Sequence, residues 1–326
     1  MRIGLLRETG GIGDIICMGS PARCLKSDNP NVEVYAFVQE NYKVITEHLS
    51  DIDKTISLGN NDIFNNGRRR RNSPLNREKY PYLQVLDQYQ LDHVIDLFCP
   101  GIEYESNCRE DVALGRSVLF AMAAGVKSGL YLPPVWVSNH KEREKGKKFF
   151  EEIERRPNKP ILGIALTSDC RARGYPKRKW KELFQILTQW ADVLFFTLFP
   201  LSQKIPYVHF CINLPLSILA TLLPLLDLII TVDTMFVHLG PATGTKTLGV
   251  FGPTYGDAVT MGYPNVTVLN GTSRDCVSPC HYRRFFGWDP ERCRPSGCKR
   301  LSSLSPKQIS IIARNITERG NDSKET

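Results

Sequence analysis

The chain begins Arg2-Ile3-Gly4-Leu5-Leu6-Arg7-Glu8-Thr9-Gly10-Gly11-Ile12-Gly13-Asp14. An apolar run passes through a glycine turn into a helix-length stretch at 14–27, a succession that opens a parallel βαβ unit. Gly11 and Gly13 stand where backbone must approach something closely, with amides at a helix N-terminus. The G-x-G-x-x-G spacing of a dinucleotide site is missing, and the next apolar run, 32–38, leads into Gln39 and Glu40 without a ribose-binding signature. A nicotinamide-dependent oxidoreductase is therefore disfavoured.

The same alternation continues outward from this opening. Runs at 55–58 and 94–98 read as further strands, with helical stretches at 42–49 and 112–124, and one half ends near residue 135. A charge-dense helical stretch at 141–156 leads through Arg156-Pro157-Asn158-Lys159-Pro160 into a new strand at 161–166. This proline-rich step sets the expected division into domains 1–156 and 157–326. Helices at 180–190 and 216–223 then alternate with strands at 193–197, 228–232 and 247–251. The expected fold is α/β, two similar halves, and 326 residues suit about two domains. After Asn270 comes a loop rich in cysteine and arginine to about residue 300, then a last helix at 305–317.

A content of 42% hydrophobic and 23% charged residues excludes a disordered chain, collagen and a small disulfide scaffold. Lys and Arg number 42 against 34 Asp and Glu, a balance that favours an anionic ligand. Arg7, Glu8 and Asp14 break any signal-peptide core, so a reducing cytoplasm is the expected compartment. The stretch 214–232 is interrupted by Pro215, Pro224 and Asp227, whereas a span needs about 20 apolar residues. It reads as a buried helix followed by a buried strand.

Three places carry candidate chemistry. Asp14 stands at the first turn, where it either caps the helix or takes a proton from a hydroxyl at a cleft edge. Ile229-Ile230-Thr231-Val232-Asp233-Thr234-Met235-Phe236-Val237-His238-Leu239-Gly240 is a buried strand that ends in polar residues and starts a helix. Ligands of open α/β sheets gather at such strand ends. Thr234 offers a hydroxyl, and His238 lies one turn on; a lone histidine there is more often structural, but Asp233 and Thr234 beside it favour phosphate binding. Gly252, in Phe251-Gly252-Pro253-Thr254, borders the same place. Thr167-Ser168-Asp169-Cys170-Arg171-Ala172-Arg173 follows another strand, and its hydroxyls and arginines suit a diphosphate, a solvated loop being the plainer reading.

Gly67-Arg68-Arg69-Arg70-Arg71-Asn72 is either a solvated loop or a surface for an anionic acceptor, and it lacks the aromatic residues of a nucleic-acid site. Cys276-x3-Cys280-x12-Cys293-x4-Cys298 could supply four thiolates to one structural metal, iron or zinc, leaving no open position for a reacting water. Free thiols or disulfides are the other reading. A nucleic-acid-binding protein with a four-cysteine module and a basic arm would explain charge and cysteines, but it leaves both strand-end sites idle.

Together these pieces resemble glycosyltransferase family 9, the heptosyltransferase-like enzymes of bacterial surface glycan synthesis. The resemblance rests on Gly13-Asp14 after the opening strand, on Asp233-Thr234-Met235-Phe236-Val237-His238-Leu239, and on Leu248-Gly249-Val250-Phe251-Gly252-Pro253-Thr254. It implies a GT-B fold, two Rossmann-like domains facing across a cleft, with no cofactor for the chemistry. It further implies a nucleotide-sugar donor, ADP-heptose favoured, held by the C-terminal half at Thr167, Arg173, Asp233, Thr234, His238 and Gly252. Asp14 is then the general base of an inverting displacement, and Gly11, Gly13 and Arg68–Arg71 face a glycan, lipid-core or protein acceptor. Arg173 stands for the basic residue that precedes a Trp-Pro pair, here Tyr175-Pro176. Met235 replaces the family's usual glycine, and 199–204 shows no acidic ribose-binding residue. Some family members bind iron through four cysteines. Peripheral membrane contact and oligomerisation remain open, and nucleic acid is not an expected partner.

Overall fold

The computed structural model describes residues 1–60, 80–97, 114–127, 129–198, 205–274, 276 and 297–319. The chain forms two compact units, Met1–Val137 and Ser138–Thr326. In the first, β1 (Arg2–Arg7), β2 (Glu33–Val38), β3 (Lys54–Ser57) and β4 (His93–Asp96) make a parallel sheet in the order β3-β2-β1-β4. β1 therefore sits between neighbours on both edges, which is why it reads as an unbroken apolar run. Leu6, Phe37, Ile56, Leu83 and Leu86 pack together in its core.

The helical stretch expected at 14–27 forms as two helices, Ile12–Ile16 and Gly19–Asp28. Pro21 has no N–H to give to the Cys17 carbonyl, and the junction tightens through Met18 N to Ile15 O and Ser20 N to Cys17 O, both 3.1 Å. Gly19–Asp28 packs against the helix Arg116–Ala123. The unit closes where Ser50 N donates to Val135 O at 3.0 Å and Leu49 bridges Trp136.

The second unit starts with the charged helix His140–Glu151. Asn139 caps it, accepting from Glu142 N at 3.0 Å while Glu142 accepts from Asn139 N. Gly146 lets this helix lie on Leu216–Leu222: a Cβ there would stand 1.9 Å from Thr221 Oγ1. Six parallel strands follow, β5 (Ile161–Ala165), β6 (Asp192–Thr197), β7 (Val208–Ile212), β8 (Leu228–Val232), β9 (Thr247–Phe251) and β10 (Val266–Asn270). Their order is β10-β9-β8-β5-β6-β7. The chain leaves β5 in one direction through β6 and β7, then crosses back to β8 and runs the other way. The reversal falls between β5 and β8, and the carboxyl ends of those two strands bound the crevice where doubly wound sheets bind ligands.

Leu162, Ile164, Phe195, Ile230 and Val250 form the centre of this unit's core, with Trp180 and Phe184 edge-on to Phe195 at 5.4 and 5.1 Å. Burying each such ring contributes on the order of 1.5–3 kcal/mol. β7 and β10 carry no strong signal in the sequence: His209 interrupts one, and the other is only half-buried. No helix among the described residues is long and apolar enough to cross a membrane.

Candidate active site

In the first unit the candidate residues lie at the turn after β1. Asp14 lies at the third position of the helix Ile12–Ile16, and its Oδ2 accepts from Gly11 N at 2.9 Å, so it does cap the helix. Its Oδ1 accepts from Arg116 Nη1 at 2.9 Å, and Arg7 Nη2 stands 3.8 Å from Oδ2. Gly10 has φ +152°, and a Cβ there would meet Asp14 Oδ2 at 2.8 Å, so the turn requires glycine. Tyr42 donates to Gly10 O at 2.6 Å; burial, then the Asp14 carboxylate, hold its hydroxyl above the usual tyrosine range. The buried Glu8 accepts from Tyr82 at 2.9 Å. Gly11 directs its amide at Asp14, and Gly13 lies inside the helix.

The second unit brings the other two motifs together at its switch point. Thr167 is exposed just past β5, and Ser168 Oγ donates to Asp233 O at 3.4 Å across to the end of β8. Arg173 reaches Asp169 Oδ1 at 2.6 Å and Asp233 Oδ2 at 3.5 Å, while its Nε is buried without a hydrogen-bond partner among the described residues. Burial opposes this guanidinium's charge, but Asp233 and Asp169 more than offset it and raise its pKa. Its loop is tied down by Tyr175, whose hydroxyl donates to Leu304 O at 2.9 Å, and by Trp180 Nε1 donating to Tyr175 O at 2.8 Å.

Thr234 Oγ1 accepts from Phe236 N at 3.2 Å and meets Thr231 Oγ1 at 3.3 Å. Since Thr231 sends its proton to Val232 O, Thr234 is the donor between them, and its hydroxyl must turn to serve a ligand. His238 is 8% exposed, with Nδ1 2.9 Å from the Tyr263 hydroxyl and the rings edge-on, so its orientation is fixed. Gly252 lies at the end of β9 and packs inward: a Cβ there would stand 2.5 Å from Leu301 Cγ and 2.9 Å from Cys298 Sγ. Thr254 Oγ1 nearby is buried without a partner among the described residues.

Cys298 is buried at the start of the helix Lys299–Ser303. Arg300 Nε donates to Gly271 O at 2.5 Å and Thr272 N to Ser303 Oγ at 3.1 Å, so the chain approaching Cys276 and the chain leaving Cys298 run side by side. Among the described residues no three possible metal ligands cluster. Cys280, Cys293, the run Arg68, Arg69, Arg70 and Arg71, and 199–204 lie outside the described residues.

Two sheets of parallel strands with polar clusters at their carboxyl ends define an α/β enzyme of the GT-B glycosyltransferase class. The chain belongs to glycosyltransferase family 9 (heptosyltransferase), whose model matches residues 115–283, just over half of the sequence. It is similar to a family 9 glycosyl transferase from Veillonella parvula DSM 2008, with 16% identity, TM-score 0.70, and 98% of this chain and 97% of that one covered. It is also similar to the ADP-heptose LPS heptosyltransferase II of E. coli, at 13% identity and TM-score 0.68, over 98% and 100%. TibC, an iron-containing dodecameric glycosyltransferase from enterotoxigenic E. coli H10407, gives 14% identity and TM-score 0.58, over 98% and 76%. Among curated proteins there is no significant match.

Proposed function

We propose that this glycosyltransferase is an inverting heptosyltransferase that moves heptose from an ADP-activated donor to a hydroxyl of a bacterial surface acceptor, in the cytoplasm. Glycan, lipid core and protein are the acceptor classes. The observation that carries the donor half is that Ser168 and Arg173, after β5, reach Asp233 at the end of the adjoining β8, next to Thr234. Arg173 and Thr234 bind the diphosphate and stabilise its charge as it leaves, with His238 beside them. Asp14 takes the acceptor proton while the acceptor oxygen attacks the anomeric carbon. The bond to the diphosphate breaks in the same displacement, so the configuration inverts. The structural likeness to the E. coli ADP-heptose LPS heptosyltransferase II supports this donor. Arg68–Arg71 supply cations suited to a phosphorylated acceptor.

Thermal shift against ADP-, GDP- and UDP-sugars tests the donor. An ADP-sugar at 100 times its dissociation constant adds about 2.7 kcal/mol of stability; a shift with GDP- or UDP-sugars alone would overturn the ADP assignment. Arg173→Ala removes a charge-assisted contact of about 1.5–3 kcal/mol, so titration calorimetry is expected to give an ADP affinity weaker by about tenfold or more. Unchanged affinity would take Arg173 out of the site.

We further infer that Cys276, Cys280, Cys293 and Cys298 hold one structural metal, iron or zinc. Support comes from a donor set of four thiols on a segment whose two ends are held side by side. Such a metal would brace this segment and take no part in transfer. Elemental analysis of the purified protein is expected to give about one equivalent, lost in Cys276→Ser together with Cys280→Ser. Metal-free protein after anaerobic purification counts against the site.

A further inference from the structure

The geometry points to Arg116 as a positioning residue for Asp14, an inference that rests on Asp14 being the proton acceptor. Two arginines face this carboxylate, and they do different things. Arg7, on β1, is 3% exposed; it donates to Leu97 O at 2.8 Å and lies 5.3 Å from the Phe120 ring centroid. At 3.8 Å from Oδ2 it contributes charge without a directed bond. Arg116 makes the directed bond, 2.9 Å to Oδ1, while Gly11 N holds Oδ2 at the same distance. Each carboxylate oxygen thus accepts a directed bond, and together these two bonds set the rotation of the group about Cβ–Cγ.

The place of Arg116 in its own helix strengthens the case. It is the first residue of Arg116–Ala123, after Gly115, which offers no side-chain cap. A cation at a helix N-terminus opposes the helix dipole, so an acidic or capping residue would suit stability better. The position is filled against local preference by a side chain that spans 102 residues of sequence to reach Asp14. A reacting carboxylate must hold its orientation to within about 10–20°, and a displacement near 1 Å can lower turnover by about 100-fold. Tyr42 holds Gly10 O and Gly11 N holds Oδ2, so the directed bond to Oδ1 is the one Arg116 supplies.

Steady-state kinetics on Arg116→Ala and Arg116→Lys, with Asp14→Asn as reference, tests this. In Arg116→Ala kcat is expected to fall by about 100-fold with the donor KM nearly unchanged. Arg116→Lys restores a directed cation and is expected to recover at least about tenfold of that loss. The melting temperature of Arg116→Ala should stay within a few degrees of the wild type's, because removing a cation from the helix start offsets part of the lost bond to Asp14. Wild-type kcat in Arg116→Ala beside an inactive Asp14→Asn would overturn the positioning role and leave the base intact. A loss confined to the acceptor KM would overturn it too, making Arg116 an acceptor contact. Full turnover in Asp14→Asn would remove the base assignment on which the inference stands.

Discussion

Asp14→Asn is expected to lower kcat by about 10²–10⁴-fold, or roughly 3–5 kcal/mol in the barrier, while ADP affinity stays within about twofold. Asparagine keeps the shape of the side chain but cannot hold the acceptor's proton. Its amide also presents a donor on one side. That side faces either Arg116 Nη1 or Gly11 N, both of which are donors themselves, so one of the two 2.9 Å bonds is lost. A modest destabilisation, on the order of 1 kcal/mol, therefore accompanies the kinetic loss. ADP affinity should be spared because the residues proposed to hold it, Arg173, Asp233, Thr234 and His238, belong to the other compact unit. Calorimetry and single-turnover assays separate the two effects. Wild-type turnover would remove Asp14 as the base, and lost turnover together with lost ADP affinity would point to a folding defect.

The parts legible in the sequence share a physical cause. β1, β5, β8 and β9 lie inside parallel sheets, buried throughout or nearly so, and their apolar runs are correspondingly continuous. β7 and β10 pair along one side only, so selection for apolar residues is weaker and their pattern blurs. The strand ends were readable for the same reason: Asp233 and Thr234 interrupt an apolar stretch just where the sheet stops. Asp14 was readable as a helix cap, because a carboxylate just after the glycine turn accepts from Gly11 N.

Its partner Arg116 was not, since nothing local links two residues 102 positions apart, and an arginine at a helix start reads as a solvated charge. Arg7 carried a faint signal, a charge at the end of a buried strand. Tyr263, which fixes His238, lies 25 residues away in a turn of unremarkable composition. Gly252 reads as part of a ligand-facing turn, yet what its sequence context cannot show is the helix Lys299–Ser303 packed against it.

Asp192→Ala is expected to destabilise the second unit by about 3–5 kcal/mol, the range for stranding one member of a buried ion pair. Asp192, at the start of β6, is fully buried; it accepts from Arg156 N at 2.8 Å and from Arg156 Nε at 2.7 Å. The rest of that guanidinium is also committed, to Thr188 O at 2.8 Å, to Ala191 O, and to the face of Tyr207 with its centroid at 3.9 Å. Removing the carboxylate leaves a cation held in place by three groups that cannot neutralise it. The melting temperature should fall by roughly 10 °C. Asp192→Asn, which keeps one acceptor, should lose less. The double variant Arg156→Met with Asp192→Leu should recover much of the loss, because replacing both charges with apolar groups removes the stranded cation. Additive losses in that cycle, or a change below about 1 kcal/mol in Asp192→Ala, would show that the Arg156–Asp192 pair is not a main source of this unit's stability. Below the transition the variant's kcat should match the wild type, since the pair sits at the amino end of β6, whereas the residues proposed to bind the donor stand at the carboxyl ends of β5 and β8.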